Sequence, residues 1–339
     1  MARFSRLEVL NTIMDTGLVP IFYNPDLEAA INVVNACAAG GSRVAEFTNR
    51  GDFAPEVFKE LSRHVARELP DIILGVGSVI DEPTAAMYVA YGANFVVGPS
   101  LNETVARFCN RRKGPYGPGC GSATEISLAE ELGVEIVKIF PGCAVGGPEF
   151  VKSVLGPCPW TRMMPTAGVD ATQESIEAWF GAGVCVVGIG SNLIRQDLVA
   201  AGDWEEISNK VRQVLGWIKE ARGEPVFLGV EHVGIYATEE ASAEAIGQWY
   251  AARFGFELKE AGAAFFASGA GNGRLEIMKE AITDRCHVAV QVSSFDRAVA
   301  ALEAQGVEIE EPIVGPGFRV AYLKERDPAG NLVHVLVAG

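Results

Sequence analysis

The sequence predicts a parallel (β/α)8 barrel of the α/β class, followed by an α+β domain of two paired βαβββ modules. Three observations predict this. From residue 18 to about 200, short apolar runs alternate with helical patterns every 20 to 30 residues or so, which is the rhythm of repeated βα units. At "RGEP" (222–225) a polar Gly/Pro break interrupts the chain, and strands then outnumber helices. Beyond it, the order strand, helix, three strands occurs twice, with "HVGI" answered by "HVAV". The expected domains are 1–222 and 226–339, and 339 residues suit two domains of roughly 100 to 200 each.

The expected strands of the first part are "LVPIFY", "RVAEFTN", "DIILGVGSV", "NFVVGPS", "EIVKIFP", "RMMPTAG" and "GVCVVGIGS", rich in the β-branched and aromatic residues that suit a sheet covered on both faces. Helices such as "DLEAAINVVNACAAGG" and "EPTAAMYVAYGA" lie between them. An eighth strand is needed for closure, and its place, "KGPYGPGCGS", is rich enough in Gly and Pro to predict only a poor or short one. An open doubly wound sheet fits the same alternation. "DWEEISNKVRQVLGWIKEA" reads as the helix that ends the first part. The second part reads as "FLGVEHVGIYA", helix "EASAEAIGQWYAARFG", then "FELKEA", "AAFFASG" and "GRLEIMK". The repeat gives "CHVAVQV", helix "FDRAVAALEAQG", then "VEIEEPIV", "RVAYLKE" and "NLVHVLVA".

Composition narrows the function. With 49% hydrophobic and 21% charged residues the chain is of ordinary globular type, and no apolar run approaches the roughly 20 residues of a membrane span. The first twenty residues are broken by Arg, Glu, Asn and Asp, so no signal-peptide core forms and a soluble cytoplasmic protein is expected. A net charge of -15 repels phosphate backbones and anionic lipid, so neither nucleic acid nor membrane is an expected partner. Small anionic substrates remain open where positive charge gathers locally. Seven cysteines, scattered and without a CxxC pair, argue against disulfides and a cysteine zinc site.

One residue breaks the apolar pattern of "GVEIVKIFPG": Lys138 lies in the middle of a strand. Alternation puts Ile136, Lys138 and Phe140 on one face, and the same parity in "RVAEFTNR" groups Glu46, Thr48 and Arg50. In a barrel these last three would lie toward the C-terminal strand ends, where such folds hold their active sites. One reading is structural, with Lys138 reaching a strand end and Glu46 paired to Arg50. The other is chemical. Burial and cationic neighbours depress the pKa of an amine, which then condenses with a ketone while a carboxylate such as Glu46 moves protons. "GVGSVI" matches only part of a dinucleotide fingerprint and lacks its last glycine, so NAD is not expected.

These motifs carry a resemblance. "AEFTNR", "PGCGSATE", "VKIFPG", "MPTAG" and "GIGS" occur in the order seen in the KDPG/KHG aldolase family, and the likeness covers about two thirds of the chain. It implies a class I (β/α)8 aldolase that cleaves 2-keto-3-deoxy-6-phosphogluconate, or a related 2-oxo-4-hydroxy acid, to pyruvate and an aldehyde such as glyceraldehyde 3-phosphate or glyoxylate. It implies Lys138 as the Schiff-base lysine and Glu46 as the general acid/base, with no cofactor. Arg50, Ser78, Thr166 and Ser122 become the substrate-binding set, Arg50 through the substrate carboxylate. Ala167, Gly168, Gly190 and Ser191 become the phosphate-binding set, in which loop N–H groups at a helix N-terminus would cradle the anion. Where the family usually has paired glycines after the threonine, this chain has Ala167-Gly168. "FTNR" stands for the more usual "VTLR", Ser122 for a common Thr, and "GIGS" for "GGS". A homotrimer is implied as well.

The chain has four histidines, and three of them, His232, His287 and His334, lie in the second part. His64, in "ELSRHVAREL", reads as an exposed helix residue. His232 and His287 open the two modules, while Glu276 and His334 take equivalent places in their last strands. Four such groups from paired modules would converge on a divalent ion, Zn, Ni, Fe or Mn. "EHVGI", "RLEIM", "CHVAV" and "DPAGNLVHV" resemble the vicinal-oxygen-chelate fold of glyoxalases and related dioxygenases, with these four residues at its metal positions and His334 where glutamate is commoner. A metal-free module with leftover histidines is the alternative. Three functions follow: an aldolase with an attached metal-binding module; a metal-dependent lyase, isomerase or dioxygenase that uses the barrel as scaffold; and a non-enzymatic binder of acidic sugars.

Overall fold

Alternation of covered strands with amphipathic helices builds the first unit. The computed structural model describes residues 3–271, 273–283, 285–315 and 318–338, which divide into two units, Met1–Gly223 and Glu224–Gly339. The first runs α1 (Arg6–Thr16), β1 (Leu18–Phe22), α2 (Leu27–Ala39), β2 (Val44–Thr48), α3 (Ala54–Glu68), β3 (Ile73–Gly77), α4 (Glu82–Ala90), β4 (Val96–Val97) and α5 (Glu103–Arg112). It continues with β5 (Tyr116–Gly117), β6 (Gly119–Cys120), α6 (Ala123–Glu131), β7 (Val137–Ile139), α7 (Gly147–Leu155), β8 (Met163–Pro165), α8 (Gln173–Gly181), β9 (Val187–Ile189), α9 (Gln196–Ala201) and α10 (Trp204–Ala221).

Two parallel ladders, β5-β4-β3-β2-β1-β9 and β6-β7-β8, share the barrel wall. They meet at Pro118, which has no N–H to give and divides one stave into β5 and β6. This is the strand that "KGPYGPGCGS" predicted to be poor. At the other seam the Cys185 N–H donates to the Met163 carbonyl at 3.3 Å. β9 pairs with β1 through Leu18 and Val187, so the order is that of a closed eight-stave barrel and not of an open sheet.

Strand parity sorts the side chains. Leu18, Phe47, Leu74, Val137, Ile139 and Ile189 pack in the layer under the helices. Val19, Val44, Ile73, Phe95, Ile136 and Val186 form a separate interior cluster with Val9, Leu10 and Ile13 of α1. That helix plugs the N-terminal end of the barrel, and the sequence reading placed no element there. A capping box starts it: Ser5 Oγ accepts from Glu8 N and Glu8 Oε2 accepts from Ser5 N. With the bottom plugged and apolar, polar side chains on the interior face are left to the C-terminal mouth.

The second unit runs β10 (Phe227–Tyr236), α11 (Ala243–Phe254), β11 (Glu257–Ala261), β12 (Ala264–Ser268), β13 (Arg274–Met278), β14 (His287–Val292), α12 (Phe295–Glu303), β15 (Ile313–Gly315), β16 (Phe318–Arg326) and β17 (Leu332–Ala338). They form one sheet, β11-β12-β13-β10-β14-β17-β16-β15, in which β10 and β14 are antiparallel and each has the last strand of its own module parallel beside it. The two expected βαβββ modules are therefore present. "VEIEEPIV" is less regular than expected, reduced to a bridge from Ile309 to Leu323 and the short β15 after Pro312. Among the described residues no helix is long and apolar enough to cross a membrane.

Candidate active site and candidate metal centre

Lys138 lies on β7 between Gly119 of β6 and Met164 of β8 and is 7% exposed. Its Nζ stands 4.6 Å from the centroid of the Phe140 ring. Burial lowers its pKa; the charge of Glu46 raises it and that of Arg50 lowers it further. Glu46, on β2, is 1% exposed, and burial raises its pKa against the opposing pull of Lys138 and Arg50. Its Oε2 is buried without a hydrogen-bond partner. Among the described residues Glu46 makes no ion pair within 4.0 Å with either cation, so the structural Glu46–Arg50 pair does not form. The carboxyl group fits because β3 has glycine beside it: a Cβ on Gly77 would lie 1.7 Å from Glu46 Oε1. Gly75 likewise leaves room for the Phe95 ring. The glycines of "GVGS" therefore serve the barrel interior.

Arg50 follows β2, is exposed, and donates from Nε to Ser78 Oγ at 3.4 Å, which joins two of the expected substrate-binding residues. Ser78 holds a left-handed backbone (φ 60) just past β3. Thr166 follows β8, is 4% exposed, and leaves Oγ1 buried without a partner. Ser122 is exposed at the start of α6, and its hydroxyl is already engaged: it accepts from Glu125 N and donates to Glu125 Oε2. His64 is half-buried with Nε2 unpartnered, not exposed as the helix pattern suggested.

The residues expected to bind phosphate follow β8 and β9. Ala167 (φ 61) and Gly168 (φ 97) turn left-handed, and a Cβ on Gly168 would lie 2.3 Å from that of Cys143. Gly190 closes a turn through its carbonyl, which accepts from Leu193 N and Ile194 N, both at 2.9 Å. The expectation of a helix N-terminus at this loop needs correction. The turn intervenes, and α9 begins only at Gln196 and spans 6 residues. One contact missed by sequence reasoning ties the two loops: Asn192 Nδ2 donates to Asp170 Oδ1 at 2.5 Å.

In the second unit the four central strands carry the expected ligands side by side: Glu276 on β13, His232 on β10, His287 on β14 and His334 on β17. His232 Nε2 is 3.1 Å and His287 Nε2 2.9 Å from Glu276 Oε2, and the two nitrogens are 3.2 Å apart. These three residues present ligand atoms all within 4.8 Å of one another. The other ring nitrogens are held from behind. His232 Nδ1 meets the carboxylate of Glu231, itself paired with Arg274 at 2.8 Å, and His287 Nδ1 meets Tyr236 Oη at 2.9 Å. The Glu231 carboxylate only accepts, so it holds a proton on His232 Nδ1 and leaves Nε2 for a cation, while Tyr236 Oη orients the His287 ring. Histidine nitrogens with a carboxylate suit a borderline divalent metal, so the residues fit one. The neighbouring histidines lower the Glu276 pKa, overcoming its burial. Gly234 makes room, since a Cβ there would lie 1.7 Å from His287 Cε1. His334 stands next to this group, its ring centroid 5.3 Å from that of His232 and 5.4 Å from that of His287, but it is not one of the three. Its Nδ1 is buried and unpartnered, and burial pulls its pKa down to about 3.

Residues 9–210 match the family model for KDPG and KHG aldolase, and residues 231–335 match that of the Glyoxalase/Bleomycin resistance protein/Dioxygenase superfamily. The chain is 27% identical over 216 residues to 2-dehydro-3-deoxy-phosphogluconate aldolase of Haemophilus influenzae, covering 64% of this chain and 99% of that one. It is 30% identical over 205 residues to the KHG/KDPG aldolase of Escherichia coli K12, 60% of this chain and 93% of that one. A crystal structure of KDPG aldolase from Legionella pneumophila, with pyruvate captured as a covalent carbinolamine, superposes with a TM-score of 0.55 at 26% identity, covering 60% and 96% of the two chains. Fold and relatives together define an enzyme of aldolase type, a lyase. With more than half of its length matched, the chain belongs to the KDPG and KHG aldolase family, and it carries a C-terminal glyoxalase-like domain.

Proposed function

We propose that this protein is a Schiff-base aldolase that cleaves 2-keto-3-deoxy-6-phosphogluconate or a related 2-oxo-4-hydroxy acid. The observation that carries the reading is a buried lysine of depressed pKa in a barrel interior that also holds a buried carboxyl group with an unpartnered oxygen. The Lys138 amine adds to the C2 ketone, and loss of water gives an iminium. Glu46 takes the proton of the C4 hydroxyl, the C3–C4 bond breaks, and its electron pair passes into the iminium to give an enamine. The aldehyde leaves. Protonation of C3 and hydrolysis then release pyruvate and the free lysine. Arg50, positioned by Ser78, holds the substrate carboxylate, and the orphaned Thr166 hydroxyl gains a partner when substrate binds. The carbinolamine in the Legionella relative is the first adduct of this sequence.

Borohydride reduction in the presence of pyruvate should add a pyruvyl-derived mass to the peptide bearing Lys138. Label on another residue, or full activity in Lys138→Ala, would sink the reading. The aldol steps as written use no cofactor, and we place the enzyme in the cytoplasm as a homotrimer, the arrangement its family likeness suggests.

For the second domain we propose that His232, Glu276 and His287 hold a divalent ion of the Zn, Ni, Fe or Mn type, with His334 beside it. When bound, such an ion would supply Lewis acidity toward a ligand oxygen. Glu231 and Tyr236 orient the two imidazoles, which are themselves buried.

A further inference from the structure

We propose that Asp170 is a specificity-determining residue that turns the active site toward 2-oxo-4-hydroxy acids whose far end carries no phosphate. This rests on the aldolase reading above, in which Arg50 takes the substrate carboxylate and the loops after β8 and β9 receive the opposite end. Asp170 lies two residues beyond Gly168, and its Oδ1 accepts from Asn192 Nδ2, one residue beyond Ser191, at 2.5 Å. A carboxylate therefore bridges the two loops that would cradle a phosphate. The same bond occupies an Asn192 N–H that would otherwise be available to an anion.

Little in the segment that carries both loops offsets this charge. From Thr166 to Arg195 the sequence contains one basic residue, Arg195 itself, against Asp170, Glu174 and Glu177. Arg195 is engaged by Asp197 through Nε at 3.0 Å and Nη2 at 2.5 Å. Helix dipoles add little: α9 is a 6-residue helix set beyond a turn, and α8 already has Glu174 in its first turn. Hydroxyl groups meet no such penalty, since the Asp170 carboxylate accepts hydrogen bonds from them. A phosphate dianion does. Two negative charges held about 6 Å from a third, in surroundings as polar as water, lose roughly tenfold in binding.

The test uses a matched pair of acceptors in pyruvate condensation, D-glyceraldehyde and D-glyceraldehyde 3-phosphate, with the full chain and its Asp170→Asn and Asp170→Ser variants. The expected result is a ratio of kcat/KM, phosphorylated over unphosphorylated, that rises about tenfold in both variants through KM for the phosphorylated aldehyde. In the wild type that ratio should also rise with salt, and in the variants this salt dependence should flatten. A ratio that stays within threefold of wild type in both variants, or a wild-type enzyme that favours the phosphorylated aldehyde a hundredfold, would overturn the inference. Pyruvate trapping on Lys138 separates the two levels: its absence defeats the aldolase reading, whereas trapping with an unmoved ratio defeats only the role of Asp170.

Discussion

Lys138 is held between two opposing charges, and that makes its titration a direct readout of the site. Burial depresses its pKa, Glu46 raises it, and Arg50 lowers it. In the proposed mechanism the neutral amine attacks, so the rate of borohydride trapping should climb with pH through the depressed value and level off below the pH an ordinary lysine would need. Glu46→Gln removes a charge that favours the ammonium, so the profile should move to lower pH. Arg50→Gln removes a charge that disfavours it, so the profile should move to higher pH. Shifts of the same sign in both variants would show that the three side chains do not share one field. Stability carries a matching signature. Folded Lys138 binds its proton more weakly than the unfolded chain does, so its contribution should rise with pH between the depressed value and the ordinary lysine value of 10.5. Raised Glu46 acts in the opposite sense, its contribution falling as pH rises above 4.5 through the folded value.

Elements differ in how plainly the sequence announced them. Runs such as "RVAEFTN" and "EIVKIFP" were legible because a strand covered on both faces must be apolar throughout, and parity then isolated Glu46 and Lys138. The stave split at Pro118 was legible only as a poor or short strand, because Gly and Pro erase the pattern while neighbouring strands supply the pairing. Gly77, whose missing Cβ houses the Glu46 carboxyl, and the Asn192–Asp170 bond were not legible, since each is a contact between different strands or loops. Helix α1 offered its Ser5/Glu8 capping signature, but only Val9, Leu10 and Ile13 mark its buried face ahead of Thr16. Arg6 locks that helix in place. It donates to Glu135 through Nε and Nη2 at 2.7 and 2.8 Å, to Asn110 Oδ1 at 2.9 Å, and to the carbonyls of Gly114 and Gly133 at 3.1 and 2.7 Å. Arg6→Ala should cost about 2 kcal/mol, discounted for the exposure of Glu135, and lower the barrel's melting temperature by about 4 to 8 °C. Because α1 plugs the end opposite the C-terminal mouth, kcat/KM at low temperature should hold. A loss of activity without a loss of stability would show that the plug acts on the site itself.

At the scale of the whole molecule, two groups of polar side chains with different requirements share one chain. The barrel has its own core and interior cluster, the second unit has two clusters, one for each module, and the two family models match separate segments. The barrel's proposed steps use an amine, a carboxyl group and a guanidinium. The second unit instead gathers two imidazole nitrogens and a carboxylate whose remaining ring contacts are already met by Glu231 and Tyr236. Zinc or nickel at a hundred times its Kd should therefore stabilise the second unit by about 2.7 kcal/mol, seen as a chelator-reversible rise in its thermal transition. His232→Ala and His287→Ala should each abolish that rise, because either leaves only two members of the group. Aldol cleavage should proceed at the same rate before and after chelation. A thermal transition indifferent to metal would remove the case for the second site, and aldolase activity lost on chelation would move the metal into the barrel's chemistry.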